Sequence, residues 1–225
     1  MNNLVNVQSV FSVFGNFSSL VSNIEAVKKE FEGFETVNQQ ETLPNGLQVP
    51  FYVLHKENKA IVIRASRMDV QYGYNGDSDS FDHFLEFSFE AVNKLDSHLT
   101  SKLNRVSYSN VAFLERNAEN FKKLSEIFSA NNVFGKDVCE LQVRLNNIVE
   151  VDNESINAVF LTQDGHVSKK GAQGQAPQAV IFLNNDINTL AENREARFAL
   201  KDAYKLMSDL LMLANERTNK VLEKL

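Results

Sequence analysis

The chain has 225 residues, 43% hydrophobic and 23% charged, with 9 Gly, 3 Pro and one Cys. That is enough for a substantial core, no apolar run approaches the ~20 residues of a membrane span, and the lone Cys139 excludes an internal disulfide. A formal net charge of −6 disfavours holding nucleic acid by bulk electrostatics, which needs a local excess of Lys and Arg.

No Gly/Ser/Pro-rich linker divides the chain, so residues 1–225 are expected to form one domain. The first residues lack a basic segment followed by an apolar core and a small-residue cleavage site. With a single thiol, that makes a cytoplasmic location the expectation.

Leu4 to Phe14 alternates as a strand ending at Gly15 and Asn16. Leu20, Ile24, Val27, Phe31 and Phe34 then recur at helical spacing, with Ser18 or Ser19 as N-cap. After the turn Pro44-Asn45-Gly46, two strands are read at Leu47–Leu54 and Ala60–Tyr74, joined by a longer loop through His55 to Asn58. In the second strand the apolar parity switches between Ala65 and Met68, which a β-bulge near Ser66 and Arg67 would explain.

The polar stretch Gly73 to Ser80 supplies caps for a long helix with Phe81, Phe84, Leu85, Ser88, Val92, Leu95, Leu99 and Leu103 on one face. Arg105 to Arg116 returns to strand, again with a parity change, and a short helix runs through Phe121, Leu124, Ile127 and Phe128. Cys139 to Val151 alternates cleanly, as a strand with one buried and one wet face does in an antiparallel sheet.

Ile156 to Thr162 and Ala179 to Leu183 form two more strands, separated by a polar, Gly-rich loop from Gln163 to Pro177. Asn184, Asn185 and Asp186 are read as the junction into one helix from about Ala191 to Leu225. Its apolar face runs Leu200, Tyr204, Met207, Leu211, Ala214, Thr218, Val221, Leu225, with a second row at Ala196, Ala203, Leu206, Leu210 and Leu213. So wide a stripe must be covered, by a sheet of the same chain, by a second copy, or by both. No internal repeat is visible. The expected fold is α+β: an antiparallel, bent sheet of about six or seven strands, helices on one face, and a long C-terminal helix.

For chemistry, His55, His83, His98 and His166 are scattered and none forms a His-x-x-x-His pair, so no metal or cofactor is expected. Asp77, Asp79 and Asp82 resemble part of a calcium loop but lack its later Gly and closing Glu, and capping accounts for them. Cys139 lies on an apolar parity with no base beside it, and the Lys169 to Gly174 segment matches no phosphate-binding motif. Capping also accounts for Asn184 to Asp186.

The segments Ala60 to Tyr72, Phe81 to Phe84, Asn104 to Asn110, Phe182 to Asn188 and Asn215 to Thr218 together resemble a sporadically distributed prokaryotic family of unknown function. Its sheet-plus-helix layout is like that of the SecB export chaperone and its antitoxin-associated relatives. The resemblance implies an oligomer offering apolar grooves to a client or partner, not a reaction.

The leading expectation is therefore a non-enzymatic protein-binding module, a homodimer or larger, with Phe87 as a contact aromatic lying off the main apolar face of its helix. The alternative is an enzyme acting on a phosphate- or carboxylate-bearing ligand at a polar cluster of Arg64, Arg67, Asp69, Tyr72 and Arg105 across neighbouring strands. Arg64 and Asp69 share a face only if the proposed bulge realigns them. Nucleic-acid binding ranks third, because Lys102, Arg105, Arg116, Lys122, Lys123, Lys169 and Lys170 are interleaved with carboxylates.

Overall fold

The computed structural model describes residues 4–76, 80–128, 140–168 and 176–225. Strand β1 (Val5–Gly15) leads through helices α1 (Ser18–Ser22) and α2 (Ile24–Glu30) into β2 (Glu35–Thr42), β3 (Gln48–Lys56), β4 (Lys59–Ile63) and β5 (Arg67–Gly73), then helix α3 (Phe81–Asp96). The remainder runs β6 (Leu103–Glu115), α4 (Ala118–Phe128), β7 (Gln142–Val151), β8 (Glu154–Val167), β9 (Gln178–Thr189) and α5 (Leu200–Leu222). The strands form one sheet in the order β2-β3-β4-β5-β1-β6-β9-β8-β7, with antiparallel pairing throughout.

The two halves share one topology. In each, a strand and a helical segment precede a meander whose last strand pairs back on the first, and a longer helix closes the unit. β5 returns to β1, β9 returns to β6, and β1 pairs with β6 at the centre. The second half has one strand fewer. This duplication is invisible in the sequence because the halves share strand order and apolar parity, not residues.

The α+β antiparallel architecture and the long terminal helix are as expected, but the sheet has nine strands, not six or seven. One extra strand is β2. As an edge strand it is exposed along most of its length and carries no apolar alternation. The other comes from the Ala60–Tyr74 segment, which is two strands joined by a turn at Arg64 to Ser66, not one bulged strand. Arg64 N–H donates to the Arg67 carbonyl at 2.9 Å, and Phe17 N–H and Gly15 N–H dock that turn onto the Ala65 and Ser66 carbonyls.

Other boundaries shift for identifiable reasons. The β3–β4 loop is a tight turn at Glu57 and Asn58, with Glu57 at φ 54°. β7 and β8 are joined by Asp152 and Asn153, both with positive φ, the combination that matches hairpin twist. α3 stops at Asp96, and Leu103 opens β6. The apparent parity change in β6 is no bulge there. Val106, Tyr108, Ala112 and Leu114 face the helices, while Val111 and half-buried Phe113 face the other side. The register shifts of the β1–β6 pair lie elsewhere, one between Asn6 and Gln8 of β1 and one where Phe14 and Gly15 pair with Arg105 and Leu103, which skips Asn104.

β9 continues to Thr189, so Asn184, Asn185 and Asp186 are mid-strand and not a helix junction. α5 begins only at Leu200, because Arg197 N–H and Phe198 N–H bond to the Leu103 carbonyl and hold the preceding segment against β6. The expected start of β7 at Cys139 lies outside the described residues, as do Asp77, Asp79 and Lys169 to Gly174. Gln163 to Val167, read as loop, belong to β8.

All helices pack on one face of the sheet. Phe11, Val13, Met68, Val70, Val106, Tyr108 and Ile187 meet Leu20, Val27, Phe84, Leu95, Met207 and Leu210 in the main core. A smaller cluster joins Leu124 of α4 to Leu114, Phe160, Ile181 and Leu183, with Val221 and Leu225 against it. Most of both rows of α5 is covered by the chain itself: Leu200, Ala203, Leu206, Met207, Leu210, Leu211 and Ala214 are all at most 4% exposed, while Tyr204, Leu213 and Val221 are partly covered. The sheet and helices of the same chain thus supply most of the cover for the wide stripe.

Candidate functional site

The helix-free face of the sheet carries a polar network built by strand register. On β1, Phe14 is opposite Arg67 of β5 on one side and Arg105 of β6 on the other, and Ser12 is opposite Asp69. These pairs project away from the helices because Phe11 and Val13, of the other parity, fill the core. The β4–β5 turn places Arg64 beside Asp69, with Arg64 Nη1 to Asp69 Oδ2 at 3.1 Å.

Asp69 is 2% exposed although it lies on the open face, because guanidinium groups cover it. Its Oδ1 accepts from Arg67 Nε at 2.5 Å, and Arg67 Nη2 donates to Ser12 Oγ at 3.1 Å. Arg64 Nε reaches Glu41 Oε2 of β2 at 3.1 Å, and its guanidinium lies 4.7 Å from the Phe51 ring centroid. The group thus runs across the sheet from β2 to β1 with its charges paired, as a half-buried ionic network must be to offset desolvation.

Arg105 differs from the other two arginines. Its Nη2 donates to Asn188 Oδ1 at 2.6 Å, and Asn188 Nδ2 donates on to Asp186 Oδ1 at 3.3 Å. Among the described residues no carboxylate lies within ion-pair distance of this guanidinium, and its Nε is buried without a hydrogen-bond partner. Cation–π contact with Phe14, at 4.8 Å, is its main compensation.

Four of the six residues singled out by sequence, Arg64, Arg67, Asp69 and Arg105, therefore converge. The hairpin turn, not a bulge, brings Arg64 to Asp69. The other two do not join them. Tyr72 projects to the helix side, 4% exposed, with its ring 5.2 Å edge-on from Tyr74. Phe87 is 2% exposed, stacked on Phe34 at 6.1 Å; the exposed aromatic of that helix is Phe89, at 54%. Tyr72 and Phe87 instead line a separate cleft of about 380 Å³ with Lys59, Glu86 and Glu90 at its edge.

Glu41, Phe14, Phe51, Ser12 and Asn188 complete the network and were not singled out. Their individual parities were readable, but which strands are neighbours was not. Elsewhere, His83 caps α3 with Ser80, His55 and His98 face Glu35 and Glu30, and no cluster of three or more metal-ligating side chains occurs among the described residues. Among the described residues, no helix is long and apolar enough to cross a membrane.

A second polar group lies on the helix side. Asn185 Nδ2 donates to Asn110 Oδ1 at 3.1 Å and to Thr218 Oγ1 at 3.0 Å, tying β9, β6 and α5 together. Ser9 Oγ is 2.9 Å from the hydroxyls of both Tyr108 and Tyr74. Burial pushes the Tyr108 phenol far above its usual pKa, against the smaller opposing effect of the Ser9 hydrogen bond. Burial thus favours the neutral phenol of Tyr108 in the folded chain.

No family model matches the sequence, and no curated protein matches it. Among solved structures, the chain is similar to the crystal structure of the di-domain ARO/CYC StfQ from the steffimycin biosynthetic pathway, at 7% identity over 96% of each chain with a TM-score of 0.23. A score that low bears on neither fold nor function.

Proposed function

We propose that this protein is a non-catalytic binding module of the cytoplasm, chaperone-like or accessory to another protein, whose helix-free sheet face holds a protein partner. The observation that carries the reading is Arg105: a half-buried guanidinium on an open sheet face, stacked on Phe14, with no carboxylate among the described residues to neutralise it. A partner carboxylate there forms a charge-assisted hydrogen bond. Exposed Val37 and Ile148, at 40% and 60%, supply apolar contacts on the same face. Self-association uses this face too in our reading, because most of the stripe of α5 is already covered.

A photo-crosslinking residue at position 148 or 37 should capture a partner or a second copy, whereas one at Met212 of α5, 62% exposed on the helix side, should not. Arg105→Glu should suppress the capture. A strict monomer at micromolar concentration with no crosslink from either open-face position overturns the reading.

The alternative is an enzyme acting on a phosphate- or carboxylate-bearing ligand at the same cluster, favoured by the convergence of three arginines. Both oxygens of Asp69 are already engaged by guanidinium donors, and among the described residues no nucleophile paired with a base stands beside them. We therefore place binding ahead of catalysis.

A further inference from the structure

A cavity of about 260 Å³ opens on the helix side of the sheet, away from the arginine network, where the start of β1 and the middle of β6 meet the last turns of α5. Its inner end is formed by Asn110 and Thr218, 4% and 5% exposed, which Asn185 holds in place. Asn6 and Asn215 stand along its walls, and exposed Asn219 stands at the rim. Leu4 and the Phe81 ring supply the apolar surface.

Three features of this lining specify a ligand. Among the described residues its lining contains no charged side chain, so an ion entering it would lose hydration without a counter-charge, which favours a neutral occupant. Its polar groups offer both acceptors and donors. Asn6 Oδ1 is fully buried with no hydrogen-bond partner. The Thr218 hydroxyl accepts from Asn185 and so keeps its own proton to give. A buried, unsatisfied acceptor of this kind is costly unless something fills it.

The third feature is size. The volume falls just below the ~300–1,000 Å³ of pockets that take drug-sized molecules. One or two fused rings fit, and a nucleotide does not. We propose that this cavity binds a small, neutral, planar molecule with adjacent hydrogen-bond donors and acceptors on one edge, of the chemical class of a free nucleobase, with Phe81 against its ring and the asparagines along its edge. The site is separate from the sheet face invoked for partner binding.

The test uses the full chain with uracil and adenine as probes, followed by saturation-transfer NMR and titration calorimetry. At least one base should bind at sub-millimolar concentration. Thr218→Val, which keeps the side-chain shape and removes the hydroxyl, should weaken binding tenfold or more. Asn219→Phe, an exposed rim position, should block entry without unfolding the chain, and Arg105→Gln on the opposite face should leave the affinity unchanged. If neither base binds the folded protein, or binding survives both cavity variants, the cavity holds water only and the proposal fails. Loss of partner capture in Arg105 variants with base binding intact separates this site from the proposed function.

Discussion

Arg67 and Arg105 face each other across Phe14, one from each neighbouring strand, with guanidinium carbons 5.1 and 4.8 Å from its ring centroid. Two like charges converge on one ring, yet among the described residues only Arg67 has a carboxylate, Asp69, to neutralise it. That asymmetry makes Arg105 the open valence of the sheet face and Asp69 its keystone.

Removing the keystone should destabilise the fold. Asp69→Ala leaves Arg64 and Arg67 facing each other without the shared carboxylate, but both guanidinium groups retain access to water. The expected loss is about 1–3 kcal/mol, below that for a fully buried pair. In a chain of this size each kcal/mol lowers Tm by roughly 2–4 °C. Thermal unfolding of the variant beside the parent measures it, and an unchanged Tm would show the network to be decorative.

The hydroxyl chain behind β1 gives a pH signature. Ser9→Ala leaves the buried Tyr108 hydroxyl without its partner and should cost about 1–3 kcal/mol. In the intact protein the folded-state pKa of Tyr108 is raised, so folding favours the neutral phenol. Once pH passes the ordinary tyrosine value of about 10, the unfolded chain loses this proton and the folded one keeps it, so stability falls as pH rises further. An ultraviolet titration should show one tyrosine ionising only as the protein unfolds. Full ionisation of all five tyrosines in the folded state near pH 10 would contradict the assignment.

Gly165 is required by space. A Cβ built there meets the Phe182 ring, with Cδ2 at 2.7 Å, and Phe182 is itself edge-on to Phe113 at 6.3 Å. Gly165→Ala should displace that ring and destabilise the β8–β9 hairpin by about 1–3 kcal/mol. Combining it with Phe182→Ala should recover part of the loss, as a double-mutant cycle in urea would reveal.

Asp209 on α5 has a raised pKa, chiefly through desolvation and secondarily through the nearby Asp152 carboxylate. A carboxyl whose folded-state pKa lies above its unfolded value favours the fold while protonated and disfavours it as pH rises through its titration range. Asp209→Asn should therefore be slightly more stable than the parent at pH 7, with the difference shrinking at acidic pH. Solvent screening of this half-exposed group keeps the gain well under ~1 kcal/mol. Denaturation curves at pH 4 and pH 7 decide the sign.

Legibility followed the apolar pattern closely. β1, α3 and α5 carry strong periodicity on one face, because each is half-covered and water sorts their side chains. β7 alternates in sequence but, as an edge strand, has no buried residue and leaves Leu145 47% exposed, so the expected buried face is not there. β2 escaped notice because an exposed edge strand needs no apolar row. Parity alone does not bring Arg64 to Asp69, since a turn and a bulge both shift a strand's phase and only pairing distinguishes them. The cavity beside α5 gathers Leu4, Phe81, Asn110 and Thr218 from four distant stretches, and no local spacing announces such a meeting.

What the sequence determined by itself was the α+β class, the antiparallel character of the sheet and the amphipathic face of the last helix, because these depend on periodicities of two and 3.6 residues that any segment displays alone. Strand neighbours, the doubled topology, the burial of Phe87, the convergence on Phe14 and the asparagine-lined cavity were decided only by tertiary structure. They depend on which segments pair across the sheet, and that choice reflects the combined burial of both halves of the chain, which no single segment encodes.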